Sequence, residues 1–171
     1  MMTKQEVIRE IERIEANFVI TSISLGYLHN PEIRAIANGW LDPGSTVKFG
    51  RKRESSYKSY DVFSVYEMFY EKKENNIDYM VYPLLAMISY VHDLIKNNGL
   101  LNQTPEFEFF RHIRNGVSHG NRFNLRNNEP RRTATFLNFS IDSSLNGTHV
   151  VHGYMKTGDI LDLIQYIKDN I

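Results

Sequence analysis

The sequence predicts a mainly α-helical bundle with a small β-hairpin before its C-terminal helix. Over most of the chain, apolar residues recur at the three- and four-residue spacing of amphipathic helices. Helix starts are marked by Thr3 and Glu6, which have the spacing of a capping box, and by the Thr104-Pro105 pair. Beyond Pro130 the apolar period changes to two, which predicts strands. A chain of 171 residues, 42% of them hydrophobic, is expected to form a single domain.

Each helical segment is bounded by residues that end or interrupt a helix. The segment 77–97 is apolar on every side, which predicts either the centre of the bundle or half of a dimer interface. Proline, glycine and basic residues between about 38 and 60 predict a long irregular loop. In chain order, helices are expected over Lys4–Leu28, Glu32–Ala37, Asp61–Lys73 and Ile77–Asn97, from Pro105 to Gly120, and from a cap at Thr157 to Ile171.

The strands are expected near the C-terminus. Thr135–Ile141 and Thr148–Met155 alternate apolar and polar positions, and Asn146-Gly147 between them is a favoured turn pair. Together they predict a hairpin over about 133–155. Because an isolated two-stranded ribbon is only marginally stable, we expect it to pack against the helices.

Composition excludes several kinds of site. A chain without cysteine has no disulfide, thiol nucleophile or cysteine-rich zinc site. The longest apolar stretch, 79–91, is shorter than the roughly 20 residues that cross a bilayer. No secretory signal precedes the first helix. A cytoplasmic protein without a membrane partner is therefore expected.

Charge is balanced overall but unevenly distributed. Twenty basic residues face twenty acidic ones. Between Arg111 and Arg132, six arginines stand against one acid, and between Lys48 and Tyr60 five basic residues stand against one. The rest of the chain is therefore acidic. Two positive patches on an acidic protein indicate a directed anionic partner, such as a nucleic acid.

The segment 108–119 combines an apolar stripe with a polar face. Phe109, Phe110, Ile113 and Val117 fall within one arc of about 100° on a helical projection, which predicts contact with the core. An arginine beside a histidine suits phosphodiester cleavage, because a guanidinium binds phosphate and an imidazole transfers a proton near neutral pH. The opposite, polar arc consists of Glu108, Arg111, His112, Arg114, Asn115, Ser118 and His119.

The run Arg114-Asn115-Gly116-Val117-Ser118-His119 resembles the signature of the HEPN superfamily. That signature is an arginine with a polar residue directly after it, and a histidine separated from the arginine by four to six positions near a helix end. Here Asn115 is the polar residue and four positions intervene. The resemblance implies a HEPN-like helical bundle with metal-independent RNA endonuclease activity and no cofactor. It also implies a homodimer in which two copies of the motif line one cleft.

The resemblance also implies a role for each motif residue. Arg114 would bind and polarise the scissile phosphate. His119 would act as general base or acid while the adjacent ribose 2′-hydroxyl attacks, leaving a 2′,3′-cyclic phosphate and a 5′-hydroxyl. Asn115 would orient His119 or the phosphate. Because the reaction uses the 2′-hydroxyl, the substrate would be RNA.

Residues around the motif would complete the site. Arg111 would make a second phosphate contact, and the loop Lys48–Lys58 would form a lid. The family includes toxins and phage-defence effectors, which implies that setting and an antitoxin or another regulatory partner. The expected site wall consists of Glu108, Arg111, His112 and Ser118, and the expected track for the RNA backbone consists of Arg122, Arg126, Arg131 and Arg132.

Two other interpretations stay open. A non-catalytic HEPN-like module would use the same face to bind RNA or a nucleotide, or to dock onto a partner. A plain dimerisation bundle would leave the polar face to solvent, with Glu108 and Arg111 as an ordinary surface pair. No metal site is predicted, because His149 and His152 fall on opposite faces of a strand, and two helical turns separate His112 from His119. The other histidines, His29 and His92, are expected to be ordinary surface or half-buried residues.

Overall fold

The computed structural model describes residues 1–28, 30–40, 44–50, 57–62, 64–65, 76–126 and 129–171. Contacts group the chain into two compact units, residues 1–19 with 81–171, and residues 20–80. The fold is mainly helical, as predicted, with short antiparallel hairpins. The helices are α1 (Lys4–Leu28), α2 (Pro31–Trp40), α3 (Asn76–Asn97), α4 (Pro105–Ser118) and α5 (Thr157–Asn170), and the strands are β1 (Thr46–Gly50), β2 (Tyr57–Asp61), β3 (Thr135–Phe136) and β4 (Phe139–Ser140).

The first helix begins as the capping box predicts. The backbone amide of Glu6 donates to the Thr3 hydroxyl at 3.3 Å, and the amide of Thr3 donates to the Glu6 carboxylate at 2.7 Å. Two amides at the helix start thereby gain acceptors. The predicted bounds of α1 match the observed ones.

The starts of α4 and α5 differ from the predictions in detail. Thr104 occupies the N-cap of α4 and Pro105 its first turn, but the Thr104 hydroxyl makes no capping bond and is buried with no partner in the described part of the chain. Thr157 was expected to cap α5, yet it is the first helical residue and Lys156 holds the cap position. The backbone amide of Lys156 donates to the Asp159 carboxylate at 2.8 Å, so a side chain inside the helix supplies the cap acceptor.

The unit that contains both chain ends has one apolar core. The Phe109, Phe110 and Ile113 side chains of α4 are fully buried, which confirms the predicted apolar stripe of that helix. They belong to one buried cluster with residues of α1, α3 and α5. Burial of this many large side chains is the main force that fixes α4 in place. The cluster includes Val7 and Ile11 of α1, Leu84, Ile88 and Val91 of α3, and Ile160, Leu163 and Ile164 of α5.

The helix α3 buries only one of its faces. Val81, Leu84 and Val91 are buried, whereas Tyr82 and Tyr90 on the opposite face are 65% and 54% exposed. Of the two predicted alternatives, burial on every side at the centre of the bundle does not hold for residues 81–97, and half of a dimer interface stays a prediction. The exposed rings of Tyr82 and Tyr90, eight residues apart, give the helix an outward apolar face.

The hairpin before α5 is shorter than predicted. Strands β3 and β4 pair directly, with Phe136 opposite Phe139 and a turn at Leu137. Residues 148–155 do not form the expected second strand; they turn back on themselves, since the amides of Tyr154 and Met155 both donate to the carbonyl of Val150. The alternation of apolar residues instead places single side chains of a compact loop in the core.

The predicted loop 38–60 contains regular structure. Helix α2 extends to Trp40, beyond the expected Ala37. Strands β1 and β2 form an antiparallel hairpin in which Val47 faces Tyr60 and Phe49 faces Lys58. The alternating valine, phenylalanine and tyrosine positions favour strands, and the glycines and prolines around them obscured that signal. The tip of the expected Lys48–Lys58 lid and most of the expected helix Asp61–Lys73 lie outside the described residues.

Among the described residues, every helix is too short or too polar to cross a membrane.

Candidate functional site

The motif lies where α4 ends and the chain reverses direction. His119 follows the last helical residue, and its backbone amide donates to the carbonyls of Asn115 and Gly116, both at 3.1 Å. Gly120 then adopts a left-handed conformation with φ of 73°. The amide of Arg122 donates to the Gly116 carbonyl at 2.9 Å. The reversal therefore presents His119 at a helix terminus, where its side chain is exposed.

Gly116 allows the reversed chain to pack against α4. A Cβ at this position would collide with the Val150 side chain and lie 3.3 Å from the Arg122 carbonyl. The side chain of Asn121 secures the same loop, because its amide donates to the Val151 carbonyl at 3.1 Å and its oxygen accepts from the Val151 amide at 2.9 Å. Glycine within the motif is thus a packing requirement of the turn that follows it.

Arg114 is tied to the neighbouring helix α3. Its Nη2 donates to the two carboxylate oxygens of Asp93 at 3.1 and 3.3 Å. The Asp93 oxygen Oδ1 also accepts from His92 Nδ1 at 3.2 Å. Arg114 is 29% exposed at its side chain and Asp93 47%, whereas His92 is 5% exposed. A buried imidazole, a carboxylate and a guanidinium thus form a chain that ends at the surface.

The charges along this chain follow from its surroundings. Burial lowers the pKa of His92, and the hydrogen bond to Asp93 offsets only part of that effect. His92 is therefore neutral near pH 7 and donates from Nδ1. Partial burial raises the pKa of Asp93, but the hydrogen bond from His92 and the nearby Arg114 charge together outweigh it, so the pKa lies below its ordinary value. Asp93 is an anion that stabilises the Arg114 cation.

The side chains in the N-terminal half of the polar arc form a second cluster, in which they contact one another. Arg111 donates to Glu108 through Nε at 3.1 Å and through Nη2 at 2.6 Å. The same Nη2 lies 2.9 Å from His112 Nε2. Because arginine only donates, Nε2 of His112 must accept and the imidazole is neutral. Burial and the Arg111 charge lower the pKa of His112, consistent with that state.

His112 does not lie on the exposed face as predicted. It is 1% exposed and is part of the interior. On a helical projection it lies about 60° from Phe109, at the border of the apolar stripe. Glu108 and Arg111 cover it from outside, so it has no direct access to a ligand.

The remaining residues of the arc stay accessible. Asn115 is half-buried, and Ser118 and His119 are exposed. Neither the Asn115 side chain nor the His119 side chain makes a hydrogen bond within the described residues. The predicted site residues at the C-terminal end of α4 are therefore open to a ligand, and those nearer its N-terminus hold one another.

The four arginines after the helix all lie at the surface. Arg122 donates to the Gly147 carbonyl at 2.8 Å, and Arg132 donates to the Gln103 side chain at 3.1 Å. Arg126 and Arg131 are exposed, and within the described ranges none of the four forms an ion pair with an acidic side chain. None of the four guanidinium groups is therefore held in a direct ion pair within that part of the chain.

His92 is buried, which the expectation of a surface or half-buried residue did not foresee, and no role was expected for Asp93. Asp93 is the one acidic residue in the apolar segment 79–97, which is the signal that would have singled it out. An acidic side chain on an otherwise apolar helix indicates an ion-pair partner and not merely contact with solvent. In the described part of the chain, no group of three or more histidine, aspartate or glutamate side chains is arranged to hold a metal ion.

Comparisons of the chain with protein-family models, with curated proteins and with solved structures give no match in any of the three.

Proposed function

We propose that this chain is a metal-independent RNA endonuclease of HEPN type whose site is completed by a second copy of the chain. The observation that carries the proposal is the end of α4. There Arg114, Asn115 and His119 keep accessible surface while the same helix is held in the core by buried phenylalanines. A rigid helix with a cation, an amide and an imidazole at its end is suited to bind and cleave a phosphodiester.

Each group has a role that its surroundings allow. Arg114 uses Nη2 on Asp93, and its Nη1 makes no hydrogen bond within the described residues, so those two N–H donors can bind a phosphate oxygen. One His119 takes the proton of the ribose 2′-hydroxyl as its oxygen attacks phosphorus. The bond from phosphorus to the 5′-oxygen breaks, and the His119 imidazole of the second copy protonates that leaving oxygen. The products are a 2′,3′-cyclic phosphate and a 5′-hydroxyl.

The outward face of α3 supports the need for a second copy. Tyr82, Ala86, Tyr90 and Asp93 lie along this face at i, i+4, i+8 and i+11. Tyr82 and Tyr90 are more than half exposed, and Asp93 holds Arg114. An aromatic helix face that ends at the candidate site favours a homodimer that covers the face and brings two sites together.

One observation favours a second candidate function, a non-catalytic module that binds RNA or a nucleotide. Arg114 and Arg111 each already have a carboxylate partner, Asp93 and Glu108. Such pairs reduce the positive potential that a phosphate meets. A module of this kind would bind a phosphate through the four arginines that follow the helix and would never cleave it.

Incubation of RNA in EDTA with wild type, Arg114→Ala and His119→Ala separates the two candidates. The nuclease proposal predicts chelator-resistant cleavage with cyclic-phosphate ends that both substitutions abolish, while the dimer measured by solution mass persists. Binding without cleavage by the wild type supports the module. If the wild type neither binds nor cleaves RNA, that result contradicts both candidates.

The biological setting is part of the proposal. A toxin or phage-defence effector of this kind arrests growth when expressed, and His119→Ala is expected to relieve that arrest at equal protein level. An antitoxin or other regulatory partner would then be found by its ability to restore growth to cells that express the wild type.

A further inference from the structure

The chain from His92 through Asp93 to Arg114 is more organised than a surface ion pair requires. Exposed pairs gain little from their charge alone, because water screens them and both side chains must be ordered. Here the carboxylate has a second donor beneath it, His92, which is 5% exposed. The His92 ring also lies 5.7 Å from the Phe110 ring, centroid to centroid, within the core. His92, which holds the Asp93 carboxylate, is therefore part of the rigid interior.

The same chain restricts how Arg114 can point. Both Asp93 oxygens lie within 3.3 Å of one nitrogen, Nη2, and the Arg114 Nε is buried with no partner among the described residues. A guanidinium is planar, so a fixed Nη2 and a buried Nε limit rotation about its long axis. Nη1 makes no hydrogen bond to the described part of the chain.

We propose that Asp93 is the positioning residue of this site, and that it holds the Arg114 guanidinium with Nη1 directed to a substrate phosphate. This inference rests on the proposed nuclease function. Asp93 itself does not touch the reacting atoms. Its carboxylate also repels a nearby phosphate, so Asp93 improves the orientation of Arg114 at the expense of substrate affinity.

A positioning role predicts that kcat falls without a rise in KM. Asp93→Asn keeps a hydrogen-bond acceptor but removes the charge, and we expect kcat to fall about 10-fold while KM stays equal or falls. Asp93→Ala removes both, and we expect kcat to fall about 100-fold with the same direction in KM. Asp162→Asn, an exposed acid on α5, is the charge-matched control and should leave both constants unchanged.

A structural role alone would not give this pattern. If Asp93 only stabilised the fold, the variants would lose melting temperature, and the folded fraction would cleave at the wild-type rate. Wild-type kcat in both Asp93 variants would overturn the inference while leaving the nuclease proposal intact.

A second measurement keeps the inference testable if no RNA is cleaved. The side-chain Nε–H signal of Arg114 in ¹⁵N NMR, assigned by its loss in Arg114→Lys, reports whether the guanidinium is held. We expect a distinct, slowly exchanging signal in wild type and its loss or averaging in Asp93→Ala. An unchanged signal in Asp93→Ala would refute the positioning role whatever the activity. Absence of cleavage with loss of that signal would refute the nuclease proposal, and with it the role toward a substrate phosphate, and would leave only the finding that Asp93 holds the Arg114 guanidinium.

Discussion

The two halves of the polar arc of α4 carry the same residue types in different states. In the first half, Arg111 is bound by Glu108 and lies against a neutral, buried His112. In the second, Arg114 has one nitrogen bound to Asp93, and His119 is exposed beyond the helix end. The difference shows that an arginine and a histidine on one helix face are not by themselves a site. Both arginines pair with a carboxylate, so what separates the halves is the imidazole, which is buried in His112 and exposed in His119.

Removal of each imidazole in turn is expected to have the largest effect. His119→Ala is expected to lower the RNA cleavage rate by about 100-fold or more, because general acid–base catalysis is lost, with no change in the free energy of unfolding. His112→Ala is expected to lower stability by about 1–3 kcal/mol, because Arg111 loses a buried acceptor. Single-turnover rates and denaturant unfolding of both variants measure these effects. A normal cleavage rate in His119→Ala would remove the distinction.

A substitution of Gly116 tests the turn that presents His119. Gly116→Ala is expected to destabilise the protein by about 1–3 kcal/mol, because the new methyl group would meet the Val150 side chain. A Cβ at Gly158 in α5 would have nothing within 4 Å, so Gly158→Ala is the matched control and should be neutral or stabilising by up to about 1 kcal/mol. Equal stability of the two variants in chemical unfolding would show that the close approach at Gly116 is not needed.

Much of the fold could be predicted, because its signals are local. The capping box of Thr3, the bounds of α1 and the phenylalanine stripe of α4 all follow from spacing and were confirmed. The hairpin β1–β2 was missed because glycine and proline around it favoured a loop. The strand expected over 148–155 was wrong because apolar alternation also fits a loop whose single residues enter the core.

The candidate site was harder to predict, because contacts between residues distant in sequence decide which of its side chains are paired or buried. Arg114 and Asp93 are 21 residues apart, and nothing in the motif reveals that they pair. His112 was assigned to the polar face by its angle, but a border position next to Gly116 and Phe109 is buried once neighbouring elements pack. Sequence periodicity locates a polar face; only tertiary packing decides which of its members remain available.

Acid is expected to destabilise both the cluster of Glu108, Arg111 and His112 and the chain from His92 through Asp93 to Arg114. Burial lowers the folded-state pKa of His112 and of His92 below the ordinary value of 6.5. The unfolded chain then binds more protons than the folded one below that pH, so the free energy of unfolding falls as pH drops from about 6.5. The lowered pKa values of Glu108 and Asp93 extend the loss to lower pH.

Denaturant unfolding at about pH 7.5 and about pH 5.5 measures how steeply the free energy of unfolding changes with pH, that is, its slope against pH. His112→Gln is expected to flatten it, since glutamine retains an acceptor for Arg111 without titrating. A slope that is unchanged in His112→Gln and His92→Gln, or stability that rises in acid, would contradict the assignment of neutral, buried imidazoles.

The smallest expected effect concerns the arginines beyond the helix. Arg131→Gln is expected to weaken RNA binding a few-fold, equally across sequences, and to reduce the slope of log affinity against log salt by about 1. Arg13→Gln on α1, where the arginine pairs with Glu10 at 2.7 Å, removes the same charge and should leave the salt slope unchanged. Equal effects of the two variants would mean that binding senses net charge and not this surface.

The most direct test of the account compares Arg114→Lys with Arg111→Lys in single-turnover RNA cleavage. Lysine keeps the positive charge but loses the planar set of donors, so it fails where two directed contacts are needed at once. We expect Arg114→Lys to lower the rate about 10-fold or more and Arg111→Lys to stay within about 2-fold of wild type. Equal losses in both variants, or a larger loss in Arg111→Lys, would contradict the claim that only the C-terminal half of the α4 face binds the scissile phosphate.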